Sequence, residues 1–251
     1  MDKFKDVMVC LDLSNIDNLL LGYLKFLNKQ ISISHIHVAH VVEEFDWDEE
    51  LIKDFPDLEK STGKEFRDLI RKELKEKVNK HFENTDISVN ISLLQGQPTQ
   101  SILKELNSVD PDLLILGKKT QYKGKGIFSR KIARYSHTPV LFVPETVTYS
   151  LNRILVPIQF KKPSAKAVKF TQELASISGA DMVLQHVYEY PTQYFPYIPS
   201  EDHQKKIEKH LQKKFEKFTD KYDISENECI WTPLKEGKAD DEIYNISIQE
   251  Q

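Results

Sequence analysis

Between Gly117 and Arg134 the chain carries seven cations, Lys118, Lys119, Lys123, Lys125, Arg130, Lys131 and Arg134, and not one carboxylate. The whole chain has 35 Lys+Arg against 39 Asp+Glu, a net charge of −4, so this stretch reverses the prevailing sign. Three of only 8 glycines, Gly117, Gly124 and Gly126, fall inside it. Glycine serves where φ must be positive or where another group must come close to the backbone. A helix starting near Ser129 would add unpaired amides and the positive end of its macrodipole, both of which attract anions. Lys118, the amides of Gly124 and Gly126, and the Ser129 hydroxyl are therefore a candidate cradle for a phosphate or nucleotide. The competing reading is a solvated basic loop that only joins a strand to a helix. Thr120 and Phe128 favour it, since they put bulk where a phosphate needs a close approach. Asp12 is the second candidate. It ends the apolar burst Val7-Met8-Val9-Cys10-Leu11, where a carboxylate can accept ribose hydroxyls or act as a turn or N-cap residue.

Other chemistries find little support. His35, His37 and His40 sit on one predicted strand, but His35 and His37 share a face and His40 takes the opposite one. No cysteine or carboxylate at matching spacing completes a metal set, so no metal site is expected. Ser14 lacks an adjacent histidine and Gly-x-Ser-x-Gly is absent, while Cys10 lies mid-strand, where a thiol is usually inert. No catalytic side chain is expected. Cys10 and Cys229, the only 2 cysteines, cannot form a disulfide framework or a four-cysteine zinc site.

The elements that must position these residues follow from apolar periodicity. Val7–Leu11 reads as a buried strand, and Leu19, Leu20, Tyr23, Leu24 and Leu27 give a helix from about 15 to 29. Ile31–Val42 is strand two. A helix with the stripe Phe66, Leu69, Ile70, Leu74, Val78 and Phe82 leads to strand three at Ile87–Ile91. Gly96-Gln97-Pro98-Thr99 opens a third helix, Leu113–Gly117 is strand four, a helix spans about 127–136, and Val140–Val143 is strand five. Strands alternating with helices imply a parallel sheet covered on both faces. Sites in such sheets lie beyond the carboxyl ends of the strands, which here places Asp12, Val41 and Gly117 onward together.

The pattern then begins again. Ile154–Gln159 matches Val7–Asp12 at an offset of 147 (154 − 7), and His186-Val187 echoes His40-Val41 at 146 (186 − 40). A repeat of this length indicates a duplicated unit, with domains at 1–147 and 148–251. The second copy would lack strand four, helix four and strand five, so that either the chain is a fragment or something else covers the apolar edge of strand 154–158. After its strand two, Tyr188, Tyr190, Tyr194, Phe195 and Tyr197 interleave with prolines, which suits either a partner surface or packing on the domain's own helices. At 251 residues and 29.3 kDa, with 39% hydrophobic and 29% charged residues, the chain can build such cores. No apolar run approaches the ~20 residues of a membrane span and no signal peptide is evident, so a soluble cytoplasmic protein is expected. The near-balanced charge argues against a nucleic-acid binder.

Val9-Cys10-Leu11-Asp12-Leu13-Ser14, Asp112–Gly117, Ser129 at a helix start and His137–Pro144 together resemble the universal stress protein family, in its tandem two-domain form. The resemblance implies a Rossmann-like, adenine nucleotide alpha hydrolase-like fold: a five-stranded parallel sheet in order 3-2-1-4-5, duplicated, with the second copy truncated. Many members bind ATP through Gly-x2-Gly-x9-Gly-Ser/Thr. Here Gly117 fits the first glycine, Thr120 replaces the second, Phe128 replaces the third, and the loop to Ser129 is short by about two residues. The implied binding residues are Asp12, Val41, Gly117, Lys118, Gly124, Gly126 and Ser129, with ATP in domain one and Mg²⁺ only as its companion. Domain two has Gln159 in place of Asp12. Family members pair through strand five, so the 140–143 edge implies a homodimer or pairing with the second domain. The implied function is a stress-response regulatory or binding protein, without turnover of its own, that docks an unknown protein partner. An ATP-hydrolysing enzyme of the same fold and a nucleotide-free dimerisation scaffold stay open beside it.

Overall fold

A computed structural model of the chain describes residues 4–42, 53–54, 64–119, 127–188, 201–224, 230–231, 235–236 and 238–249. Two compact units, Met1–Tyr149 and Ser150–Gln251, divide it.

In the first unit the elements are β1 (Asp6–Cys10), α1 (Ile16–Asn28), β2 (His35–Val42), α2 (Lys64–Phe82), β3 (Ser88–Gln95), α3 (Pro98–Val109), β4 (Leu113–Lys118), α4 (Ile127–Tyr135) and β5 (Val140–Pro144). The strands form one sheet in the order β3-β2-β1-β4-β5, every neighbour parallel. Side chains alternate across the sheet and sort the core into two layers. Met8, Leu114 and Leu116 point to one face and pack with Ile102 and Leu106 of α3 and Ile132 of α4. Val7, Val9, Ile36, Val38 and Ile115, also buried, take the opposite face, which α1 and α2 cover. Helix α2 buries only Ile70, Leu74, Val78 and Phe82, one residue per turn. Phe66 and Leu69, expected in the same stripe, are exposed; Leu69 precedes Ile70 by one residue and so points about 100° away around the helix.

Two glycines are held by geometry. Gly96, at φ +103°, turns the chain from β3 into α3, whose first turn begins at Pro98. Gly117 has a different task. A Cβ there would stand 2.9 Å from Ile16 Cδ1 and 3.4 Å from Leu20 Cδ1, so its bare Cα lets α1 lie close on β4.

The second unit contains β6 (Arg153–Pro157), α5 (Lys162–Ser178), β7 (Asp181–Gln185), β8 (Val187–Tyr188), α6 (Glu201–Tyr222), β9 (Ile230–Trp231), β10 (Lys235–Glu236) and α7 (Ala239–Gln249). Strands β6-β7-β9 form a parallel sheet, and β8 pairs in parallel with β10. Val156, Ile158, Val168, Met182, Leu184, Phe215 and Phe218 make its core. Gly179 ends α5 at φ +72°, the left-handed cap expected there. Of the aromatic run after β7, Tyr188 is buried in β8, and Tyr190, Tyr194, Phe195 and Tyr197 lie outside the described residues. Among the described residues no helix is long and apolar enough to cross a membrane.

Candidate functional site

Strand β1 occupies the centre of the five-stranded sheet, hydrogen-bonded to β2 on one side and β4 on the other. From β1 the chain runs through α1 to β2; from β4 it runs through α4 to β5. The two connections diverge, and the crevice they leave above the carboxyl ends of β1 and β4 is where open parallel sheets bind ligands.

Asp12 and Lys119 meet there. The Lys119 ammonium donates to Asp12 Oδ2, although the residues lie 107 apart in sequence. Oδ1 of the same carboxylate accepts the Ser14 backbone N–H at 3.1 Å, so Asp12 makes an Asx-type turn and does not cap α1. Burial pushes its carboxyl up, but the Lys119 ammonium, the nearby Ser14 hydroxyl and the Ser14 N–H together outweigh this and hold it below the usual carboxylate range. Leu13 between them is left-handed at φ +63°, a costly conformation for a branched side chain.

A buried frame sets the turn. Asp17, fully buried on α1, accepts the Asp12 N–H on Oδ1 at 3.1 Å. Its Oδ2 takes the Lys77 ammonium of α2 at 3.0 Å, and Lys77 also reaches the Ser14 carbonyl at 3.3 Å. Burial drives the Asp17 carboxyl above its usual range, against the pull of Lys77. From β2, His40 Nδ1 donates to the Leu11 carbonyl at 2.8 Å; a carbonyl only accepts, so Nδ1 carries the proton. The Ser14 hydroxyl oxygen is buried in this turn and meets no hydrogen-bond partner at bonding distance among the described residues.

The other expected residues sort as follows. Val41 lies at the end of β2, paired with Leu94 of β3 and packed against the Met8 layer. Lys118 is exposed at the last rung of β4, opposite Pro144. The lysine that faces Asp12 is its neighbour, Lys119. Ser129 is the third residue of α4 rather than its cap. Gly124, Gly126 and Thr120 lie outside the described residues. Phe128 packs against the Met8–Leu116–Ile132 cluster, so its ring is accommodated by the core. Cys10 is pushed up to about 12, by burial first and then by Glu105, and supplies no thiolate. His35 pairs with Asp6 at 2.6 Å at the amino end of the sheet, away from the crevice. Among the described residues no group of three metal-ligating side chains gathers.

The second unit builds its first βα turn alike. His186 Nδ1 donates to the Ile158 carbonyl at 2.7 Å, as His40 does to Leu11. The Gln159 N–H goes to Ser164 Oγ at 2.9 Å, as that of Asp12 goes to Asp17. Phe160 is left-handed at φ +54°, as Leu13 is. The chemistry differs: an amide replaces the carboxylate, and the Phe160 ring packs on His186 with centroids 4.3 Å apart and planes tilted by 40°.

A doubly wound α/β protein with a polar crevice at its topological switch point is the class this geometry defines. The model of the universal stress protein family matches residues 3–144. The chain belongs to that family. Among solved structures, a universal stress protein from Archaeoglobus fulgidus DSM 4304 is 16% identical, with 98% of this chain and 82% of that one covered at a TM-score of 0.63. A functionally unknown protein from Pseudomonas aeruginosa PAO1 is 17% identical over 98% and 78%, at 0.60. At such identities the likeness shows the fold. No curated protein matches in sequence.

Proposed function

We infer that the first unit binds an adenine nucleotide, ATP foremost, between the turns after β1 and β4, and that the protein is a cytoplasmic stress-response binding module without turnover of its own. One observation carries this reading: a carboxylate and an ammonium from different strands converge at the switch point of the sheet. The donor set suits such a ligand. Asp12 is an acceptor for sugar hydroxyls, Lys119 a cation for phosphate, and the buried Ser14 hydroxyl a further polar contact. Gly117, Lys118, Gly124, Gly126 and Ser129 would follow the phosphates and Val41 the base. No carboxylate cluster exists for a metal among the described residues, so Mg²⁺ would arrive on the phosphates. The second unit is read as a shorter copy whose turn keeps the frame and lacks the charges.

Thermal denaturation with and without millimolar Mg·ATP tests this. A ligand at a hundred times its Kd stabilises the folded state by about 2.7 kcal/mol. The expected rise in Tm disappears in Asp12→Ala; no rise in the wild type overturns the reading. Phosphate release above a blank, lost in Asp12→Ala, would favour the ATP-hydrolysing alternative.

A second reading rests on the outer strand. β5 pairs only with β4 among the described residues, and its Val140, Leu141 and Phe142 are half-buried. Such an edge invites a strand from a second copy of the chain. Sedimentation of the full chain, with Leu141→Lys expected to shift a dimer to monomer, decides it.

A further inference from the structure

Helix α6 buries Phe215, Phe218 and Thr219, with Ile207, Leu211 and Tyr222 half-buried beside them. The helical turn then fixes which side chains share the rest of its surface. Between 205 and 222 it carries seven lysines and three carboxylates, and these are sorted. Glu208, Glu216 and Asp220 fall on one flank and along the outermost line. Lys206, His210, Lys213, Lys214, Lys217 and Lys221, all exposed, share the other flank. That arc of about 100° runs for about 22 Å without a carboxylate. Among the described residues none of its five lysines has an ion-pair partner. Lys221 rests over the Tyr222 ring at 5.4 Å. The fold does not ask for such a strip. Counted from its own buried stripe, Ile70, Leu74 and Val78, the same arc of α2 includes Leu69, Glu73, Glu76 and Lys80, all exposed. The net charge of −4 over the whole chain conceals the local surplus.

We propose that this flank of α6 is a docking surface for the phosphate backbone of a single-stranded nucleic acid, bound without sequence preference. It does not rest on the nucleotide reading above. Charge selects a polyanion, and shape and composition select among polyanions. The strip offers a cation at nearly every turn along one line, which a linear chain of phosphates can follow. A flat anionic membrane would press on the outermost line, where Glu216 and Asp220 interrupt Lys209 and Lys213. A protein partner needs an apolar centre to its interface, and the strip has no apolar side chain. It also has no aromatic ring and no arginine, so it holds phosphates without stacking on bases or reading them. The carboxylates that border it oppose the second strand of a duplex.

Fluorescence anisotropy of the full chain with labelled oligothymidylate and oligoadenylate, between about 50 and about 200 mM salt, tests this. Five phosphate contacts give a slope of log affinity on log salt of about −3.5, the same for both sequences. Lys213→Gln combined with Lys217→Gln brings the slope to about −2.1. Lys205→Gln combined with Lys209→Gln removes the same charge from the same helix outside the strip, and leaves the slope within about 0.5 of the wild type. Matching far-UV spectra of the three proteins establish that the fold is intact. Absence of binding by the wild type at about 50 mM salt overturns the proposal. Equal losses in the two double variants overturn it as well, since they show diffuse surface charge and no strip. Polyglutamate that competes as well as the oligonucleotide, charge for charge, overturns it in favour of an acidic protein. Phosphatidylserine vesicles that bind in place of the oligonucleotides, with the same dependence on Lys213 and Lys217, overturn it in favour of a membrane surface.

Discussion

Removing the Asp17 carboxylate should cost far more than its single position in α1 suggests. Asp17→Ala deletes the acceptor of the Asp12 N–H and the partner of Lys77 in one step. Breaking a buried ion pair from one side costs about 3–5 kcal/mol, because the remaining charge stays buried. Lys77 is 15% exposed and keeps the Ser14 carbonyl, so part of its ammonium can reach water, and the lower figure, about 3 kcal/mol, applies. With a urea slope of about 2 kcal/mol/M, the unfolding midpoint of the first unit falls by about 1.5 M. The second unit supplies the control. There Ser164 makes the equivalent backbone bond with no charge at all. Asp17→Ser combined with Lys77→Met copies that arrangement and should recover to within about 1 kcal/mol of the wild type, since a neutral replacement strands neither charge. Urea unfolding followed by far-UV circular dichroism reads all three proteins. A loss below about 0.5 kcal/mol in Asp17→Ala, or a double variant no better than the single one, refutes the reasoning.

Three further outcomes follow from the same geometry. Asp12 is held below its unfolded pKa, so its pairing stabilises the fold above about pH 4 and is lost as pH falls through the depressed folded value; the wild-type advantage over Lys119→Met, about 0.5 kcal/mol for so exposed a pair, should therefore close between pH 5 and about pH 3 in urea midpoints, and a constant gap contradicts it. Gly117→Val drives a branched side chain into Ile16 and Leu20 and should destabilise by about 1–3 kcal/mol, measured by the same unfolding curve, with Gly117→Ala milder. A Cβ at Gly22 would overlap the Tyr149 hydroxyl, whose ring stacks on Phe26 at 6.3 Å; Gly22→Ala should thus gain the full helix propensity of about 1 kcal/mol only when Tyr149→Ala is also present, and equal gains in both backgrounds would show that Tyr149 does not rest on α1.

The strands were legible because each is a short β-branched or leucine-rich run closed by turn residues, and Asp12 because a carboxylate stands where one such run stops. Lys119 was hidden by the end of β4. Lys118 still occupies the ladder opposite Pro144, so the next residue is the first free to turn toward β1, and composition alone weighs the two lysines equally. The Asp17–Lys77 pair joins helices 60 residues apart, and no local spacing links them. A signal did exist. Asp17 lies among the buried positions Ile16, Leu20, Leu21 and Leu24, and a lone carboxylate on an apolar stripe demands a buried cation. The echo of His40 in His186 was equally visible as a repeat, but its purpose, a bond to the carbonyl that ends the neighbouring strand, depends on the parallel register of β1 with β2. Phe128 illustrates the converse: its size argued for an obstructed loop, and the helix start turns its ring to the core.

The two first turns separate scaffold from chemistry. Each places a bulky residue, Leu13 or Phe160, in a left-handed conformation that costs about 1–2 kcal/mol. Each meets that cost with the same bonds, a histidine to the last strand carbonyl and a side-chain oxygen to the next N–H. The frame persists although the acceptor changes from Asp17 to Ser164 and the displayed residue from Asp12 to Gln159. It therefore answers a need of the backbone, and its presence in a turn says nothing about binding there. What differs is the display. The first turn presents a carboxylate paired with a lysine; in the second, Phe160 packs on His186, Phe215 and Phe218 and joins the turn to the apolar core. Substitutions at His40 or Asp17 consequently report on folding first and on ligand only through it. Asp12 and Lys119, half-open to water and outside the frame, are the positions where a change in affinity without a comparable change in stability can be read as function.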